Sequence, residues 1–111
     1  MKITNEIVKR NREIKTLCLN YSVKYLYVFG SAVTGKFDKK SSDFDFIVEI
    51  DDPDPVERGV KLLSIWDELE NLFQRKVDLL TESSIKNPYL KNSINSTKVL
   101  LYDGTREKIL I

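Results

Sequence analysis

Apolar and polar residues alternate along this chain with two different periods. Ile3, Ile7, Ile14, Leu17 and Tyr21 recur at helical spacing, with Lys9, Arg10, Arg12 and Lys15 between them, so residues 4–20 are predicted to form an amphipathic helix. Residues 24–29 (KYLYVF) are aromatic and β-branched and end at a glycine, which reads as a strand. Residues 44–50 read as a second strand. Phe44, Phe46, Val48 and Ile50 fall on one face, and Asp43, Asp45, Ile47 and Glu49 on the other. The DDPDP run at 51–55 interrupts the pattern. Asp54 can cap a new helix, with Pro55 at its first position and Glu57 three residues after the cap. That helix runs to about Phe73 through Leu62, Ile65, Trp66 and Leu69. VDLLT at 77–81 is a third strand, Asn87-Pro88 opens a short helix to about Ile94, and KVLLY at 98–102 is a fourth strand closed by Asp103-Gly104. The predicted order is α-β-(short helix)-β-α-β-α-β. This is an α/β (α+β) domain spanning 1–111, with one mixed β-sheet flanked by helices and no internal repeat.

Composition narrows the chemistry. The chain has 111 residues, 41% hydrophobic and 32% charged, with a net charge of +1. That length suits a single domain with a modest core, and the balanced charge exerts no global pull on nucleic acid or membrane. The single cysteine, Cys18, excludes an intramolecular disulfide and reads as a core filler. Neither a signal sequence nor a long apolar run is seen, so a cytoplasmic location is expected. The chain has no histidine. Histidine bases, Ser-His and Cys-His pairs and histidine-ligated zinc are therefore excluded, and catalysis would have to run on carboxylates, hydroxyls, lysines or arginines.

Three aspartates stand where strands disfavour them. Alternation puts Asp43 and Asp45 on one face, roughly 7 Å apart. Asp78 interrupts the apolar run Val77–Leu80. Two carboxylates about 5 Å apart repel by about 3 kcal/mol at an effective dielectric of about 20, and a hard divalent cation such as Mg²⁺ reverses the sign. Such an ion keeps positions open for phosphate oxygens, so the cluster suits a nucleoside triphosphate. Gly30-Ser31 then acquires a use. Glycine admits close approach of a phosphate to the backbone, while the Ser31 hydroxyl and the N–H groups of a short turn at 31–35 supply donors. Gly35 lets the chain turn away, and Lys36, Lys39 and Lys40 bring positive charge to the loop. Each piece has a plainer reading. Gly-Ser ends strands and caps helices, paired aspartates occur at solvated strand edges, and lysines populate loops. The ordered combination is what points to a site.

Gly30-Ser31, Ser42-Asp43-Phe44-Asp45 and Asp78 together resemble the signature of the minimal nucleotidyltransferases of the DNA polymerase β-like superfamily. The likeness extends over nearly the whole chain, including the closing PYLKNSINSTKVLLY. The resemblance implies that Gly30, Ser31 and Ser42 bind the nucleotide. It implies that Asp43, Asp45 and Asp78 are catalytic and hold one or two Mg²⁺ ions, with ATP as substrate. It also implies an antitoxin paired with a small helical HEPN toxin encoded alongside and inactivated by AMP transfer to a tyrosine, with no direct nucleic-acid binding. Two departures stand out. The spacer of residues 32–42 is one residue longer than usual, which costs little. Ala32-Val33-Thr34 replaces the Arg-x-x that many members carry after Gly-Ser. The rival expectation is a non-catalytic antitoxin that neutralises its partner by complex formation.

Overall fold

The structure is a computed structural model that describes residues 3–35, 38 and 43–111. The expected first helix is two: α1 (Asn5–Val8) and α2 (Asn11–Asn20). Arg10 leaves the helical region at φ −100°, ψ 20°. The Lys9-Arg10-Asn11 run offers no apolar side chain to the core, so packing does not hold the turn straight. Each half is anchored separately. Thr4 N–H bonds Ala32 C=O at 3.0 Å, Glu6 pairs with Arg75 at 3.2 Å, and Asn11 donates to the carbonyl of Ile111 at 3.1 Å.

Strand β1 (Val23–Phe29) ends at Gly30, and the one-turn helix α3 (Ser31–Thr34) follows. Strand β2 (Phe44–Ile50) leads into α4 (Pro55–Phe73), which Asp54 caps by accepting from Val56 N–H at 2.9 Å. Strand β3 (Val77–Leu80) is followed by a short 3₁₀ turn at Glu82–Ser84. Helix α5 (Pro88–Thr97) starts at the predicted Asn87 cap. It runs one turn past the expected end because Thr97 and Lys98 still bond the carbonyls of Ser93 and Ile94, although no apolar residue marks that turn. Strand β4 (Val99–Asp103) pairs with an unexpected fifth strand, β5 (Lys108–Ile109). Asp103-Gly104 does not simply close the chain. The Asp103 carboxylate accepts from Thr105 N–H, Thr105 Oγ1 and Arg106 Nε at 3.0, 2.6 and 2.9 Å, which folds the chain back onto β4.

The sheet order is β3-β2-β1-β4-β5, with β2 and β3 parallel and the other neighbours antiparallel. It is the expected mixed sheet. The main core lies on the face carrying Phe44, Phe46 and Val48, packed with Ile7, Ile14, Ile65 and Leu69. Cys18 is buried there as a filler, and burial pushes its thiol up to about 12. The other face is only partly polar. Ile47 is fully buried against Ile85 and Ile94, with Tyr27, Phe29 and Leu80 around them. Asp43, Asp45 and Asp78 therefore sit at the rim of a half-covered face. Edge strand β3 is guarded by α4: Trp66 Nε1 donates to Val77 C=O at 2.7 Å, and Val77 N–H donates to Glu70 at 3.0 Å.

Candidate active site

Three neighbouring strands bring the predicted residues to one end of the sheet. Phe29, the last residue of β1, pairs with Asp45, and Asp45 pairs with Asp78 in the parallel β2–β3 ladder. Gly30 follows Phe29 with φ 76° and ψ −149°, a conformation open in practice only to glycine. A Cβ at this position would lie 2.5 Å from Asp45 Oδ2. Gly30 is thus required both by its backbone and by the carboxylate beside it. The chain then makes the single turn of α3 and leaves through Gly35 at φ 79°. Ser31 begins that turn at the rim.

Asp45 is half-buried, and its carboxyl is pushed up to about 6. Burial is the first cause. The charge of Asp78, a hydrogen bond between the two carboxyl groups and the charge of Asp43 add to it, and Lys76 opposes. Asp43 stands just before β2, partly exposed, with Oδ2 3.9 Å from Lys76 Nζ. Lys76 was not anticipated. Its signal was the i, i+2 relation to Asp78, which puts both on one face of an extended segment. Ser42, Lys36, Lys39 and Lys40 lie outside the described residues.

Among the described residues no three acidic side chains close into a ready-made metal cage. Their chemistry nonetheless fits a hard divalent ion. Asp45 and Asp78 are register partners, the carboxyl of Asp78 opposes ionisation of Asp45, a dication between them would relieve that opposition, and all the ligand atoms are carboxylate oxygens. Asp43 is held by a long ion pair at the surface, a weak interaction that a dication can displace. A groove of about 760 Å³ lies elsewhere, at the far end of β2 and the start of α4, and is lined by Ile50, Asp52, Arg58 and Leu62.

Residues 6–101 match the nucleotidyltransferase domain family. The chain belongs to that family. A relative from Methanocaldococcus jannaschii, named "Putative protein adenylyltransferase MJ1217", is 33% identical over 96 residues, covering 86% of this chain and 92% of its own. Two solved structures share the fold. One, a toxin–antitoxin structure with AMP-PNP, aligns with a TM-score of 0.63 at 21% identity, over 84% of this chain and 73% of that one. The other, a tri-AMPylated HEPN toxin from Shewanella oneidensis in complex with an MNT antitoxin, aligns at 0.53 and 19% identity, over 89% and 74%. This nucleotidyltransferase departs from the expected arginine-bearing turn for a packing reason. Ala32 and Val33, which follow Gly30-Ser31, are buried in the main core at 2% and 6% exposure. A guanidinium at position 32 would have to displace that contact. Among the described residues no helix is long and apolar enough to cross a membrane.

Proposed function

We propose that this nucleotidyltransferase moves AMP from ATP to a tyrosine hydroxyl of a HEPN-type ribonuclease toxin encoded beside it, and so acts as its antitoxin. The observation that carries the reading is the row Gly30–Asp45–Asp78 at one end of three adjacent strands, with Asp43 one step before. The relative named for protein adenylyltransfer and the fold shared with toxin–antitoxin complexes support the acceptor class.

In this reading Asp43, Asp45 and Asp78 would hold one or two Mg²⁺ ions. When bound, such an ion offsets triphosphate charge and lowers the acceptor hydroxyl's pKa. The chain's own groups do the rest. Gly30 lets the backbone approach the triphosphate closely, and Ser31 and Ser42 donate hydrogen bonds to it. Asp78 takes the acceptor proton as the tyrosine oxygen attacks the α-phosphorus. The bond from that phosphorus to the bridging oxygen breaks, and pyrophosphate leaves. The acceptor protein supplies the wall that orients its own hydroxyl, because nearly all of this chain is used to build the nucleotide half of the site.

The burial of Ala32, which leaves no cation on the turn after Gly30, favours a second reading in which the protein neutralises its partner by complex formation alone. Co-expression with the neighbouring gene product, weighed intact by mass spectrometry, separates the two. An AMP-sized adduct that vanishes with Asp43→Asn supports transfer. Full neutralisation by Asp43→Asn without an adduct supports masking.

A further inference from the structure

Helix α4 is amphipathic toward the core, yet its opposite side is not polar. Val56, Val60 and Leu63 are 70%, 55% and 67% exposed, at i, i+4 and i+7. They form one continuous apolar stripe pointing away from the face that buries Ile65, Leu69 and Phe73. Gly59 lies in the same patch. It is a glycine in a helix interior, and a Cβ there would meet nothing within 4 Å. The fold gains no packing from the glycine and bears its helix-weakening effect. Absence of a side chain at the centre of an exposed apolar stripe is useful when a second helix must come close, because backbones approach nearest where side chains are smallest.

The charges around the stripe define its occupant. Asp54 caps the N-terminal end, Glu57 flanks one side, and Asp67 continues the stripe at its far end, all exposed. Among the described residues neither Glu57 nor Asp67 takes part in an ion pair; Lys61 is paired with the Asp52 carboxylate at 2.8 Å, and Arg58, on the side of the helix turned away from the stripe, donates to the Asp52 backbone carbonyl at 2.8 Å. The margin is therefore acidic and uncompensated. A second copy of α4 laid antiparallel across Val60 would bring Asp67 against Asp54 of its mate, with no basic residue in the stripe to relieve the repulsion. A helix with an apolar ridge and Lys or Arg margins meets both requirements.

We infer that the outer face of α4, centred on Gly59, is a docking surface for a basic-margined amphipathic helix of another protein. Because α4 runs antiparallel to β2, this surface lies near the end of β2 opposite Asp45. A partner held there leaves the nucleotide site open, so docking and nucleotidyl transfer are separable functions of one small domain. The inference does not depend on the identity of the acceptor.

The test uses the full chain and two synthetic helical peptides with the same leucine ridge, one with lysine margins and one with glutamate margins. Calorimetry is expected to show binding of the lysine peptide only, weakening as salt rises. Val60→Glu/Leu63→Glu should weaken it at least about tenfold, as loss of a central apolar anchor does. Gly59→Leu should do the same by bulk, and both variants should keep the wild-type melting temperature within a few degrees and bind MgATP unchanged. Equal binding of the two peptides, no binding of either, or lysine-peptide binding indifferent to Val60→Glu/Leu63→Glu would overturn the proposal. So would a concentration-dependent wild-type dimer, seen by sedimentation and lost in that variant, which would assign the face to a second copy.

Discussion

Gly30 and Asp45 occupy one another's space: the carboxylate of Asp45 lies where a side chain at residue 30 would begin. The contact joins the end of β1 to the start of β2. It makes the glycine a structural requirement of the acid, apart from the phosphate-binding role proposed for it. Gly30→Ala is expected to cost about 1–3 kcal/mol through its backbone conformation, plus the displacement of Asp45. Urea unfolding of Gly30→Ala, Asp45→Ala and the double variant measures the split. The double variant should be more stable than the sum of the two single losses predicts, by the part due to collision.

Asp45 carries an unfavourable charge in the metal-free protein. Its folded pKa, about 6, is above the ordinary value of 3.8. Between these values the folded state binds more protons than the unfolded state, so stability from this group is fully present below about pH 4 and is lost as pH rises through about 6. Asp45 is half-exposed, so after solvent screening the effect is on the order of 1 kcal/mol. Asp45→Asn should therefore raise the melting temperature of the metal-free domain at pH 7, lose the advantage near pH 4, and abolish transfer. Paired melts of both proteins across pH 4–8 in chelator check this, and a variant less stable than wild type at pH 7 would contradict it.

Mg²⁺ with ATP should stabilise the wild type by roughly 2.7 kcal/mol at a hundred times Kd. Asp43→Asn/Asp45→Asn should lose that shift, and chelator should remove it from the wild type. Thermal melts in the four combinations decide; an equal shift in the double variant would remove the acids from the binding site.

Glu70 and Trp66 guard the backbone of Val77, next to Asp78. Glu70→Ala leaves the Val77 N–H unpaired, with an expected cost of about 1–3 kcal/mol. Amide exchange at Val77 should quicken in Glu70→Ala and much less in Glu70→Gln, which can still accept. Because Val77 sets the register of Asp78 opposite Asp45, nucleotide affinity should fall with it.

Gly59→Ala should stabilise the free protein by roughly 0.5–1 kcal/mol, since the helix gains a better former and nothing is crowded. Urea unfolding checks the sign. A loss of stability would reveal a need for glycine inside the fold and remove one support of the α4 docking surface.

Much of this molecule is legible in its residue pattern. Alternation in FDFIVEI placed Phe44 and Phe46 in the core and Asp43 and Asp45 on the opposite face. Asp54-Pro55 and Asn87-Pro88 marked two helix starts through local capping chemistry that needs no tertiary partner. The glycine, the serine and the three aspartates were singled out as candidates by type and order. Local order could not show that Asp45 and Asp78 stand side by side, which requires β2 and β3 to be parallel neighbours in register. Nor could it show the break at Arg10, the return of β5 through Asp103, or the burial of Ile47 under Ile85 and Ile94, because each is settled by contacts between distant segments. The sequence by itself determined which residues could do the chemistry, since side-chain type and strand period are local properties. Only the tertiary structure decided how strongly they interact: the raised pKa of Asp45 and the exclusion of any side chain at Gly30 both arise from desolvation and close contact across strands.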